Sequence, residues 1–233
     1  MPDGTDPAGS AEASLRPAWR SRRAVALLMA SAAVAFALLA VLVSQTGGPV
    51  SAFDRWLSDG ALSFAQAHPL WLSAMRRVTT TGGLGVLGPL VALLGLILLL
   101  RGHRREGLLV WAAMIVTVTG RDVLVGLIAR PRPEHQLSAV TNFSFPSGHS
   151  TASAAVAVLL ILTVRPLLRR RWSRIALTTG VAVWAFAVGL SRVALVVHWP
   201  TDVLGAWLFV AVTMSGAVLV SGPMTVHSPK SRT

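Results

Sequence analysis

Ser191-Arg192-Val193-Ala194-Leu195-Val196-Val197-His198-Trp199-Pro200-Thr201-Asp202 sets an arginine, a histidine and an aspartate between two long apolar runs. Ionisable groups beside a membrane span are disfavoured, by about 2.5 to 3.5 kcal/mol each at a helix centre on insertion scales and by less near the interface. Taken alone, the segment reads equally well as a juxtamembrane loop with a snorkelling arginine and as part of a functional site.

The runs on either side decide the fold class. Of the 233 residues, 53% are hydrophobic and 13% are charged, too apolar a balance for an ordinary soluble domain. Nearly charge-free runs fall at 24–53, 78–100, 107–120 (continuing past Arg121-Asp122 to Ala129), 150–164, 175–191 and 203–226. At about 20 residues per crossing these predict six spans, an all-α polytopic membrane protein. The run from Ala24 to Phe53 is longer than the roughly 7 to 15 residue apolar core of a signal peptide, so it reads as a retained first span.

The net charge of +12 raises the possibility of a nucleic-acid partner, but its distribution speaks against one. Arg16, Arg20, Arg22 and Arg23 precede span 1; Arg101, Arg104 and Arg105 lie between spans 2 and 3. Arg165, Arg169, Arg170, Arg171 and Arg174 lie between spans 4 and 5, and Lys230 and Arg232 follow span 6. The positive-inside rule then predicts a plasma-membrane protein with both termini cytoplasmic and with 45–77, 130–149 and 192–202 on the other side. With no cysteine there is no disulfide or thiolate metal site.

Three domain ranges follow: a disordered cytoplasmic tail at 1–23, a six-span domain at 24–221 and a polar cytoplasmic tail at 222–233. Residues 54–77, divided by Pro69, predict two short interfacial helices. Thr79-Thr80-Thr81-Gly82-Gly83 reads as a flexible entry to span 2, and Gly85, Gly88 and Gly95 as points of close helix packing. The adjacent Arg121-Asp122 pair cannot share one helix face, so each is expected to find a partner on another helix or in a polar cavity.

All the remaining polar clusters map to one membrane face. Arg130-Pro131-Arg132-Pro133 closes span 3, Phe145-Pro146-Ser147-Gly148-His149 opens span 4, and Arg192, His198 and Asp202 bridge spans 5 and 6. Arginine forks and backbone N–H groups at a helix start suit phosphate oxygens, so the collection reads as an oxyanion site. Asp202 stands four residues after His198 in the first turn of a helix, within reach of its ring.

The ordered set Arg-Pro, Pro-Ser-Gly-His and Ser-Arg-x5-His-x3-Asp resembles the phosphatidic acid phosphatase type 2 and haloperoxidase superfamily over about residues 24–221. The resemblance implies a membrane-embedded lipid phosphatase with a core helical bundle and a mechanism without metal or other cofactor. Its catalytic set would be His198 as nucleophile, His149 as acid and then base, and Asp202 holding the His198 ring. Arg132, Arg192, Ser147 and the Gly148 amide would bind phosphate oxygens. The family's first motif also carries a lysine seven residues before its Arg-Pro. Here that position is Val125 counted from Arg132, or Val123 counted from Arg130. Arg121, one turn before Val125, or Arg130 would have to supply the missing charge, although helical side chains lean toward the N-terminus and so carry Arg121 away from the site.

The expected partners are the bilayer and a lipid phosphate such as undecaprenyl pyrophosphate, phosphatidic acid or phosphatidylglycerol phosphate. Oligomeric state is not readable from the residues. A phosphotransferase using the same phosphohistidine, and a non-catalytic lipid-phosphate-binding protein, are the alternatives; halide oxidation does not suit so small a soluble mass. No acidic triad calls for a divalent ion.

Overall fold

The computed structural model describes residues 22–45 and 47–221; the expectations for the first 21 residues and for 222–233 lie outside them. The described helices are α1 (Arg22–Ser44), α2 (Pro49–Ala67), α3 (Pro69–Thr81), α4 (Leu84–Leu100), α5 (Arg104–Ile128), α6 (Gly148–Thr163), α7 (Arg171–Ala194) and α8 (Pro200–Ser221). A 3-10 turn, Arg165–Leu167, follows α6. Among the described residues, six segments are long and apolar enough to cross a membrane: Arg22–Ser44, Pro69–Leu100, Arg104–Ile128, Gly148–Leu167, Arg171–Ala194 and Pro200–Ser221.

The expected run through Phe53 is corrected. The first span stops at Ser44, because Gly47 takes a left-handed φ of 85° and Pro49 occupies the first turn of the next helix. The two helices expected on either side of Pro69 are present, but the first is longer than expected, 19 residues from Pro49 to Ala67, and the second belongs to the next crossing. Proline at 69 then starts α3 in the same way.

α4 alone has 17 residues. At 1.5 Å per residue it falls short of a hydrocarbon core of about 30 Å. Together α3 and α4 make one broken crossing of 32 residues, Pro69–Leu100. The break at Gly82-Gly83 is packed and not a loose entry. A Cβ on Gly82 would overlap Val188 Cγ1 of α7, and Trp184 of α7 donates to Thr81 Oγ1 at 2.9 Å.

α6 is the central post, far more deeply buried than α1. Its Ala152, Ala155 and Leu159 pack with Leu87 and Val91 of α4, Val110 and Met114 of α5, and Val210 and Met214 of α8. The small side chains on α6 let neighbouring backbones approach, which replaces the hydrophobic drive that lipid does not supply. Between α4 and α5 the same device is Gly95, where a Cβ would overlap the Trp111 indole. Gly85 and Gly88, expected to act likewise, face open space: a Cβ at either would have nothing within 4 Å.

Alternating spans place the α1 start, the α4–α5 turn and the α6–α7 turn, with their arginines, at one end of the bundle. The end of α5 and the starts of α6 and α8 lie at the other.

Candidate active site

α5 ends at Ala129, whose left-handed φ of 49° lets its amide bond the Val125 carbonyl. The chain then returns beside its own helix. The Arg130 carbonyl accepts the Ser144 amide at 2.9 Å, and the Pro146 carbonyl accepts Arg121 Nε at 2.9 Å. Residues 144–148 thus descend from the level of Arg130 to that of Arg121. This descent brings the start of α6 to Arg121, which the lean of its side chain alone would have kept from the site. A Cβ on Gly148 would lie 3.2 Å from the Arg121 guanidinium carbon, so that guanidinium rests on the first turn of α6. Ser147 precedes the helix, donates its amide to the Asp202 carbonyl at 3.1 Å and accepts from Ser150 Oγ at 2.9 Å.

The Arg121-Asp122 expectation is corrected in part. The two side chains bond one another at 2.8 Å, with Asp122 61% exposed, because the long arginine bends across the step between adjacent helix positions. Only Arg121 also reaches another element.

At the end of α7 the Arg192 carbonyl accepts the amides of Val197 at 3.2 Å and His198 at 3.3 Å. The turn that allows this puts Val196 at φ 55°, a strained conformation for a β-branched residue. His198 is thereby held over the end of α7, and α8 begins two residues later at Pro200. Asp202 Oδ2 accepts the Trp199 amide at 2.9 Å and lies 3.2 Å from His198 Nδ1. The first contact is the return half of a capping box; the second joins the i, i+4 pair expected from the spacing.

Asp202 and His198 are 0% and 2% exposed. Burial lowers the His198 pKa to about 4, against the hydrogen bond and charge of Asp202, which raise it. The ring is therefore neutral at ordinary pH. Arg132 Nη1 approaches His198 Nε2 at 3.1 Å and donates to the Val197 carbonyl. Its Nε and Nη2 are held at 2.6 Å by the carbonyl and the side-chain oxygen of Asn142.

Arg192 is 5% exposed; Nη1 donates to Thr79 Oγ1 at 2.7 Å, while its buried Nε has no partner. A buried donor left unpaired next to the other arginines is the position that an incoming oxyanion would fill. His149 is partly buried, within electrostatic range of Arg192, His198, Arg121 and Arg132. A Cβ on Gly83 would lie 3.2 Å from its Nε2, so the absence of a side chain at Gly83 leaves that nitrogen room.

Arg130 does not join this group as a free phosphate donor. Its Nη1 meets Asp202 Oδ1 at 2.5 Å and Thr201 Oγ1 at 2.8 Å, and its Nη2 meets Asp54 Oδ2 at 2.6 Å. Two carboxylates occupy its fork. Sequence reasoning missed Asp54, Thr79, Gly83 and Asn142. Asp54 did carry a signal, as an acid between the aromatic residues Phe53 and Trp56.

Six candidate spans with arginines and histidines gathered at one end are an arrangement suited to a membrane phosphatase. The family model described as "PAP2 superfamily" matches residues 106–223, and the chain belongs to that superfamily. It is similar to phosphatidylglycerophosphatase B of Bacillus subtilis (strain 168), with 33% identity over 180 residues, 74% of this chain and 84% of that one. It is also similar to the undecaprenyl-diphosphatase of Sulfolobus acidocaldarius, with 29% identity over 120 residues, 48% of this chain and 54% of that one. Among solved structures, the first transmembrane PAP2 type phosphatidylglycerolphosphate phosphatase from Bacillus subtilis superposes with a TM-score of 0.69 at 28% identity, covering 81% of this chain and 94% of that one.

Proposed function

We propose that the protein hydrolyses a lipid phosphate, as monoester or pyrophosphate, at the extracytoplasmic leaflet through a phosphohistidine on His198. The observation that carries this is the double anchoring of the ring: Nδ1 lies 3.2 Å from Asp202 Oδ2 and Nε2 lies 3.1 Å from Arg132 Nη1. An ionised carboxylate only accepts, so Nδ1 keeps the proton and Nε2 turns its lone pair toward a guanidinium. A phosphoryl oxygen that takes over that guanidinium brings phosphorus to the lone pair.

In the first step Nε2 forms a bond to phosphorus and the bond from phosphorus to the lipid oxygen breaks, with protonated His149 giving its proton to that oxygen. In the second, water attacks phosphorus, loses its proton to His149, and the N–P pair returns to Nε2 as inorganic phosphate leaves. Arg132, Arg192, Ser147 and the Gly148 amide would hold the oxygens that do not transfer. Loss of one such donor lowers kcat by about 10²–10³ in comparable sites. Arg121 stands in for the lysine absent at Val125, its guanidinium lying against Gly148.

The leaflet is supported by Arg101, Arg104, Arg105 and Arg165–Arg174 at the opposite end of the bundle from the histidines. Phosphatidylglycerol phosphate is the first substrate to offer, since a relative with 84% of its length matched by this chain is a phosphatidylglycerophosphatase by name.

The experiment is phosphate release by the purified protein in detergent with EDTA, from phosphatidylglycerol phosphate, phosphatidic acid and undecaprenyl pyrophosphate side by side. His198→Ala should abolish release and the trapped phosphoenzyme. His149→Ala should still accept phosphate from an ester of an acidic phenol, which needs no proton to leave, and then stall. Equal release by wild type and His198→Ala would overturn the mechanism.

A further inference from the structure

We infer that Asp54 is a positioning residue for the reaction, holding Arg130 so that Asp202 keeps a net negative charge toward the His198 imidazole. This rests on His198 being the nucleophile.

Asp54 is 1% exposed on α2. Its carboxylate accepts Arg130 Nη2 at 2.6 Å on Oδ2, and Thr201 Oγ1 on the same oxygen at 2.5 Å. Oδ1 accepts the Thr201 amide at 3.1 Å. Arg130, 6% exposed, turns its other arm to Asp202 Oδ1 at 2.5 Å, and its guanidinium carbon lies 5.6 Å from the centre of the Trp199 ring. The chain of contacts therefore runs from α2 through Arg130 and Asp202 to His198 Nδ1.

The charges give this chain its meaning. Arg130 and Asp202 alone sum to zero, and a neutral pair does little for a cation beside it. With Asp54 the three groups sum to −1, and Asp202 is the member that faces the ring. As Nε2 bonds phosphorus, the imidazole becomes positive and its Nδ1 proton presses on Asp202. In a site this closed to water, a net charge acts with little screening. Asp54 thus acts on the transition state without touching substrate.

A second role is open to the same residue, since Asp54 also fastens Thr201 and so the first turn of α8. The two are separable. Asp54→Asn removes the charge and keeps the shape; Thr201→Val removes the hydroxyl tether and keeps all three charges.

The test uses the full chain with phosphatidylglycerol phosphate, comparing wild type, Asp54→Asn, Thr201→Val, Asp202→Asn and the Asp54→Asn/Asp202→Asn double variant. Melting in detergent is followed beside kcat and KM. Asp54→Asn should lower kcat about tenfold with KM within about twofold, since the charge matters in the transition state only. Thr201→Val should lose at least threefold less. In the Asp202→Asn background the Asp54 change should add less than about twofold, because groups acting through one another are not additive. An unchanged kcat in Asp54→Asn, an equal loss in both backgrounds, or a Thr201→Val loss as large as that of Asp54→Asn overturns the inference. If Asp54→Asn does not fold, the Thr201→Val result and Asp54→Glu decide it: Glu restores the charge and should keep kcat within about threefold of wild type, and a Glu variant that folds yet loses kcat tenfold is contrary. Wild type silent on every lipid phosphate would instead count against the proposed hydrolysis, before any comparison of variants.

Discussion

Arg132 and His198 are bonded to each other, with Nη1 of the arginine 3.1 Å from Nε2 of the histidine. In the proposed mechanism the attacking lone pair is thus covered by the group that should later hold the phosphoryl oxygen. Substrate has to replace one acceptor with another, which orients phosphorus as it uncovers the nitrogen.

Arg132→Ala should leave Nε2 uncovered but without a guide, and kcat/KM should fall by about 10²–10³. Arg132→Lys should do little better, because a point ammonium cannot hold Asn142, the Val197 carbonyl and a phosphate together. Steady-state kinetics on the purified variants check this. A lysine variant with wild-type kinetics would show that the fork geometry is irrelevant.

Arg121 and Gly148 are expected to be coupled. A methyl on Gly148 would lie 3.2 Å from the Arg121 guanidinium carbon and 3.4 Å from Nη2, so Gly148→Ala should shift that guanidinium by a few tenths of an ångström. Arg121→Ala should lower kcat/KM by about 10² if it replaces the lysine as a phosphate donor. Gly148→Ala should cost about tenfold in the wild type and much less in the Arg121→Ala background. Independent losses would leave Arg121 a structural ion pair of α5 alone.

The pH dependence has a definite sign. His198 sits at about 4, below its ordinary 6.5, with burial the largest cause and Asp202 opposing it. Its neutral form therefore contributes stability above pH 6.5, and that contribution is lost as pH falls from 6.5 through about 4. In kcat/KM the acid limb belonging to His198 should lie below about pH 5. Asp202→Asn removes the two contributions that raise the value, so the limb should move lower still while kcat falls. A limb that moves up in Asp202→Asn would mean that Asp202 does not act on this ring.

Legible in the chain alone was whatever depends on distance along it. Six apolar runs of sufficient length can only cross a bilayer as helices, since each backbone group must be satisfied within its own segment. The alternation of basic turns follows from those runs. His198 and Asp202 meet because Asp202, in the first turn of α8, reaches back to a residue just before the helix start.

Contacts between elements were decided elsewhere. Whether Arg121 reaches the site depended on residues 144–148 descending along α5, and no spacing encodes that path. Arg130 and Arg132 stand two residues apart in one motif, yet one is clamped by Asp54 and Asp202 while the other faces His198. An arginine takes whichever acceptor the packing brings within its reach. Asp54, Thr79 and Gly83 entered the site the same way, from helices whose own sequence gave only lipid contact or a bend. Chain-local geometry determined the helices, the turn-spaced dyad and the motifs; packing of one helix on another decided which of the buried charges neutralise each other and which remain free for a phosphate.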